Sequence, residues 1–182
     1  ISEEKFFKFK NLVSIRIYDE TKYLIEKIND FKKLKKLNLF GLRITKIPDI
    51  PINLKELDCS CNEITEIPDT LTNLTHLDCS YNKITEIPNT LVNLTRLECP
   101  YNEITEIPEK FINLNYLYCS GNKITEIPEK FINLKELYCS GNKITEIPNT
   151  LINLYILVFS QNKQIKKIPK ELVYKKLHCD YC

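Results

Sequence analysis

The phrase "CSYNKITEIPNTL" starts at Cys79 and returns, little changed, as "CSGNKITEIPEKF" at Cys119 and "CSGNKITEIPNTL" at Cys139. No other feature limits the fold as much. Aligning Leu54, Leu74, Leu94, Leu114, Leu134 and Leu154 gives an interval of 20 residues every time. The shared unit is L-x-x-L-x-C-S-x-N-x-I-T-E-I-P-x-x-L/F-x-N. An earlier copy begins at Leu34, with Leu39 in the cysteine slot and Leu42 in the asparagine slot. The copy from Leu154 has Phe159 for cysteine and one inserted residue, Gln164. The last copy is one residue shorter before Leu177 and stops in mid-unit. Leu12, Ile15 and Ile17 fit the spacing more weakly. A fixed period of this kind marks stacked coils, none of which can bury its apolar side alone.

Inside the unit, Leu77 and Cys79 point one way and Asp78 the other, the period-two pattern of a short strand. Pro88 stops a regular sheet from continuing, and Leu91 and Leu94 return the chain to the core. Parallel strands about 4.8 Å apart make eight coils an array on the order of 35 Å long. The chain between strand and proline is too short for a long helix, so the outer side is expected to be extended or 3₁₀-like. The first residues differ. "LVSIRIY" alternates like a strand, and Leu24, Ile28 and Phe31 fall at i, i+4 and i+7, with Asp19 or Thr21 able to cap a helix. The reading is a strand-helix cap over residues 1–33 and a mostly β solenoid of α/β type over 34–182.

This pattern resembles the leucine-rich repeat family. The resemblance implies a curved array with a parallel sheet on its concave face. It also implies that Asn62, Asn82, Asn102, Asn122, Asn142 and Asn162 bond the backbone of a neighbouring coil. The short unit with Ile-Pro after the asparagine is similar to repeats of bacterial effectors and of giant DNA viruses of amoebae. The Cys-Ser pair and the heavy use of Ile, Lys and Asn lean towards the viral group.

Cys59, Cys79, Cys99, Cys119 and Cys139 invite a reading as metal or catalytic chemistry, but Leu39 and Phe159 fill the same slot. A ligand or nucleophile is not exchanged for leucine, so these thiols read as small core residues. Strand spacing lies within the disulfide range, yet a row of five cannot pair completely, and reduced thiols in an intracellular protein are expected. Cys61 is expected on the exposed side of its strand. Cys179 and Cys182 form a C-x-x-C, half a zinc site at most. Glu66, Glu86, Glu106, Glu126 and Glu146 read as a solvated edge, partly screened by Lys83, Lys123 and Lys143. Asn53 to Asn153 form a second row at the convex turn; the "NLT" sequons at Asn73 and Asn93 arise from the repeat.

Net charge is +2, unevenly placed: +6 over residues 1–46, −8 over 47–162 and +4 over 163–182. An acidic middle repels phosphates and argues against nucleic acid along the array. No apolar run reaches the roughly 18 residues of a membrane span. No P-loop, HExxH or glycine-rich phosphate turn occurs. His76 among Asp58, Asp78 and Arg96 suggests a hydrolytic cluster only weakly, because an open face excludes little water. The expectation is therefore a non-catalytic protein without cofactor or metal, in the cytoplasm, a host cytoplasm or a virion.

Where the ladders stay constant, the strand positions facing outward vary. They hold an acidic portion (Asp58, Asp78, Glu98) beside Arg96 and an aromatic portion (Tyr116, Tyr118, Tyr138, Tyr155), with Tyr81 and Tyr101 along one edge. Tyrosine is favoured at binding hot spots, and no scaffold rule needs this set. The leading reading is a protein-binding module, monomeric or within a larger assembly, whose partner offers basic and apolar surface. The alternatives are a component of a virus particle and the substrate-recognition part of a longer effector of the ubiquitin-ligase type.

Overall fold

A computed structural model describes residues 11–165, 168–172 and 176–178. Among the described residues, nine strands of three residues lie in one parallel sheet in chain order. They are β1 Ser14–Arg16, β2 Lys36–Asn38, β3 Glu56–Asp58, β4 His76–Asp78, β5 Arg96–Glu98, β6 Tyr116–Tyr118, β7 Glu136–Tyr138, β8 Ile156–Val158 and β9 Lys176–His178. The register keeps the 20-residue interval from β2 to β9, so Leu37, Leu57, Leu77, Leu97, Leu117, Leu137 and Leu157 stand side by side. All seven are buried.

One continuous core runs the length of the array. Each coil beginning at Leu54, Leu74, Leu94, Leu114 or Leu134 gives it the strand leucine, the cysteine, two isoleucines such as Ile84 and Ile87, and the leucines or phenylalanines of the P-x-x-L/F-x-N-L segment. Each fully buried Leu, Ile or Phe is worth about 1.5–3 kcal/mol, so stability grows coil by coil. Cys59, Cys79, Cys99, Cys119 and Cys139 sit wholly inside this core as free thiols, in line with the packing role read from Leu39 and Phe159. Burial raises their pKa values, that of Cys119 to about 12, which keeps them protonated and inert.

The asparagine ladder closes the gap between coils. Asn122 Nδ2 donates to Cys99 O at 2.9 Å and Cys119 O at 3.0 Å, while its Oδ1 accepts from Ile104 N–H at 3.0 Å. The bonds reach the preceding coil as well as the residue's own. The second row does the same at the convex turn: Asn93 Nδ2 donates to Thr72 O at 2.9 Å, and Thr95 Oγ1 donates to Thr75 O at 3.1 Å. Both polar residues of that sequon are thus used between coils.

The expected cap helix is present over Asp19–Asp30 and is 3₁₀. Its Ile28 is buried, and Leu24 and Ile25 pack partly buried against the core. Two expectations need correction. Lys83 and Lys123 do not serve the Glu66 to Glu146 row; they pair with Glu63 at 3.0 Å and Glu103 at 2.8 Å, one coil back. Cys61 is exposed but lies beyond its strand, in a left-handed turn with φ of 55°.

Candidate functional site on the concave face

Between β5 and β8 the variable positions meet in one connected cluster. Arg96 Nε donates to Glu98 Oε1 at 2.7 Å. The Arg96 guanidinium lies 4.8 Å from the ring centre of Tyr118 and 5.4 Å from that of Tyr116, both within cation–π reach. Tyr118 and Tyr138, paired across β6 and β7, meet edge to face at 4.7 Å. Tyr118 Oη donates to Glu136 Oε2 at 2.7 Å, and Tyr155 Oη donates to Glu136 Oε1 at 2.8 Å.

Glu136 is therefore the hub, accepting one tyrosine on each oxygen. It was in the outward row of the sequence but absent from the expected binding set. The available signal was its register beside Tyr116 and its place one residue pair from Tyr138. Burial, then the bond to Glu136, pushes the Tyr118 pKa well above its ordinary value. The bond to Glu136 pushes Tyr155 up to about 12. Burial works against the Arg96 charge, but the bond and charge of Glu98 outweigh it, so its pKa is raised.

The acidic portion continues the face towards the cap. A pocket of about 370 Å³ is lined there by β1 to β5 residues, among them Lys36, Glu56, Asp58, His76, Asp78 and Arg96. Lys36 pairs with Glu56 at 2.8 Å. Asp58 accepts from Ser60 N–H at 3.0 Å and Ser60 Oγ at 2.6 Å, and Asn38 Nδ2 donates to its other oxygen. Asp78 accepts from Ser80 N–H at 3.0 Å and from Ser80 Oγ in the same way. One oxygen of each aspartate thus holds the turn after its strand. Burial raises the Asp78 pKa against the Ser80 bonds, and Glu98 and Asp58 add to the rise. His76 contacts Thr75 Oγ1 at 3.0 Å and is exposed.

Tyr81 and Tyr101 stand apart from this cluster, on the flank where the chain leaves the sheet. Both have left-handed backbone, φ 53° and 55°, in the slot that holds glycine at 41, 121 and 141. Their rings stack at 4.6 Å and 21°. The Tyr101 ring continues over Gly121, where a Cβ would come within 2.8 Å of it.

A larger groove, about 1790 Å³, runs along the E-I-P segments of several coils. It is lined mainly by the repeated Glu, Ile and Pro residues, with the pair after each proline, such as Asn89 and Thr90 or Glu109 and Lys110, varying between coils. The concave face, where residues depart from the repeat, is the better candidate. Among the described residues no group of three or more His, Cys, Asp or Glu can hold a metal ion. Cys179 and Cys182 lie outside the described residues. No helix among the described residues is long and apolar enough to cross a membrane.

The family description "Leucine Rich repeats (2 copies)" matches residues 52–91 and 132–172, and "Leucine Rich Repeat" matches 113–134. No curated protein matches the chain. Among solved structures, a leucine-rich repeat protein of Leptospira interrogans is similar over 96% of this chain and 50% of its own, with 24% identity and a TM-score of 0.75. YopM from Yersinia enterocolitica is 30% identical over 81% of this chain and 33% of its own, with a TM-score of 0.73. The plant peptide hormone receptor RGFR1, solved in complex with RGF2, is 27% identical over 93% of this chain and 30% of its own, with a TM-score of 0.64. The chain thus spans half or less of the length of these three proteins.

Proposed function

The chain is a leucine-rich repeat protein, and we propose that it binds a protein partner through its concave face. Leucine-rich repeat domains are typically protein-binding and generally non-catalytic. The observation that carries the proposal is the fixed cluster of Arg96, Glu98, Tyr118, Glu136, Tyr138 and Tyr155. Side chains already held in one arrangement lose little rotamer freedom on binding. Tyrosines give large contact area at low entropic cost. The fitting partner carries apolar side chains for the tyrosines and a cationic group for the end with Asp58 and Asp78. Buried free thiols in five successive coils suit a reducing compartment, which supports an intracellular setting.

Affinity capture from the native cell, followed by mass spectrometry, tests this. A Tyr116→Ala/Tyr118→Ala/Tyr138→Ala variant is expected to keep its circular dichroism spectrum and lose the principal partner. If every captured protein survives the change, the concave face is not the binding surface. Recovery only with purified particles would favour a structural role instead.

A further inference from the structure

Each strand of the concave face turns two residues outward, such as His76 and Asp78, about 7 Å apart. The third-position row reads Asp58, Asp78, Glu98, Tyr118, Tyr138, Val158, one coil per step. Several of these are already engaged. Asp58 gives one oxygen to Ser60 and the other to Asn38. Glu98 holds Arg96, whose guanidinium lies over the Tyr118 ring. Tyr118 is further held by Glu136 and by the edge contact with Tyr138. Asp78 differs: its Oδ1 serves Ser80, and its Oδ2 receives no hydrogen bond among the described residues. Register explains why. The β2 neighbour of Asp58 is Asn38, a donor, whereas the neighbours of Asp78 are Asp58 and Glu98, which cannot donate. At the other end of the row, Tyr138 and Val158 stand side by side, both half-buried.

We infer that the partner engages this row through one extended segment, with a lysine over Asp78 and an apolar side chain over Tyr138, four residues apart. This rests on the binding role proposed for the concave face. Three strand steps separate Asp78 on β4 from Tyr138 on β7, about 14 Å. An extended chain rises about 3.4 Å per residue, so four residues span that distance, and an even count turns both side chains the same way. A helix is about 10–12 Å across, wider than the gap between the two outward rows, and needs about nine residues for the same span. Carboxylates directly opposite one another destabilise a sheet, and a cation at Asp78 offsets the repulsion from both sides. Only one Asp78 oxygen is open, which suits the point charge of lysine better than the two-pronged arginine fork. The pocket of about 370 Å³ beside Asp78 has room for the ammonium, and in it Lys36 and Arg96 are already paired, with Glu56 and Glu98.

Fluorescence anisotropy with the 182-residue chain tests the inference. The probes are short fluorescein-labelled Ser/Gly peptides with one lysine and one leucine, spaced by three, four, five or nine residues and in both orders. In one order, the spacing of four is expected to bind about ten-fold more tightly than three or five, and to lose that gain when its lysine becomes glutamine. Asp78→Asn keeps an acceptor for Ser80 and is expected to weaken the lysine peptide about ten-fold while leaving the glutamine peptide unchanged. Tyr138→Ala is expected to weaken the leucine peptide but not its glycine counterpart. The inference falls if no spacing is preferred, if the helical spacing of nine is preferred, or if nothing binds at up to about 1 mM. It falls too if either variant weakens a peptide and its control equally. Any of these results beside a captured partner that still needs Tyr116, Tyr118 and Tyr138 would remove the extended segment and leave the concave face as the binding surface.

Discussion

The asparagine ladder and the tyrosine cluster are both polar groups fixed by hydrogen bonds, one facing into the solenoid and one facing out. Asn102, Asn122 and Asn142 each bond backbone of their own and the preceding coil, in the same way every time. Tyr118 and Tyr155 both bond one side chain in one coil, Glu136. The ladder partner is backbone, so any coil can supply it. The cluster partner is a particular carboxylate, so it marks one place in the array. The sharpest way to break this contrast is Asn122→Ala, which leaves Ile104 N–H and the Cys99 and Cys119 carbonyls without their buried partner. About 3 kcal/mol should be lost in urea unfolding, against under about 1 kcal/mol for Tyr118→Phe. Equal losses would mean that the outward cluster is as much scaffold as the ladder.

The left-handed slot offers a second contrast, between Gly121 and Gly141. Their φ values, 68° and 65°, are nearly equal. An added Cβ at Gly121 meets Tyr101 Cδ1 at 2.8 Å, whereas at Gly141 the nearest atom is 3.6 Å away. Gly141→Ala should therefore lose only the backbone preference, about 1 kcal/mol. Gly121→Ala should lose up to about 2 kcal/mol, because strain at the contact adds to it. In a Tyr101→Ala background the two glycine changes should converge, a coupling that a double-mutant cycle measures. If they still differ there, the ring is not what sets Gly121 apart.

The sequence made the periodic part of the molecule legible and the aperiodic part only partly so. Twenty-residue spacing was enough to place the strand leucines, the buried cysteines and both asparagine rows, because each slot is tested in several copies. The cap is read only once, so Leu24, Ile28 and Phe31 located a helix without fixing its 3₁₀ winding. Gly41, Gly121 and Gly141 signalled the left-handed turn, yet Tyr81 and Tyr101 in the same slot drew attention as side chains and hid the backbone requirement. Glu136 escaped because its importance comes from two hydroxyls in neighbouring coils, and no single copy of the repeat contains that arrangement. Asp58 and Asp78 went the other way: each gives one oxygen to Ser60 or Ser80, a scaffold duty that spacing alone did not separate from binding.

The smallest expected effect is also the one most specific to the cluster. Glu136 accepts hydrogen bonds from Tyr118 and Tyr155, so it favours their neutral forms over the anions. Both folded pKa values are raised above the ordinary 10.0. Their stabilising contribution is thus complete below the unfolded tyrosine value and is lost as pH rises through the folded ones. For Tyr155 that window runs from 10.0 to about 12. Tyrosinate absorbance followed to alkaline pH should show Tyr118 and Tyr155 titrating late. Glu136→Ala should return Tyr155 to the ordinary range, because the Glu136 bond is its leading cause. Tyr118 should fall less, because burial is its leading cause and survives the change. Unequal movement of the two would separate hydrogen bonding from burial within one site; no movement of Tyr155 would show that Glu136 does not hold the cluster in solution.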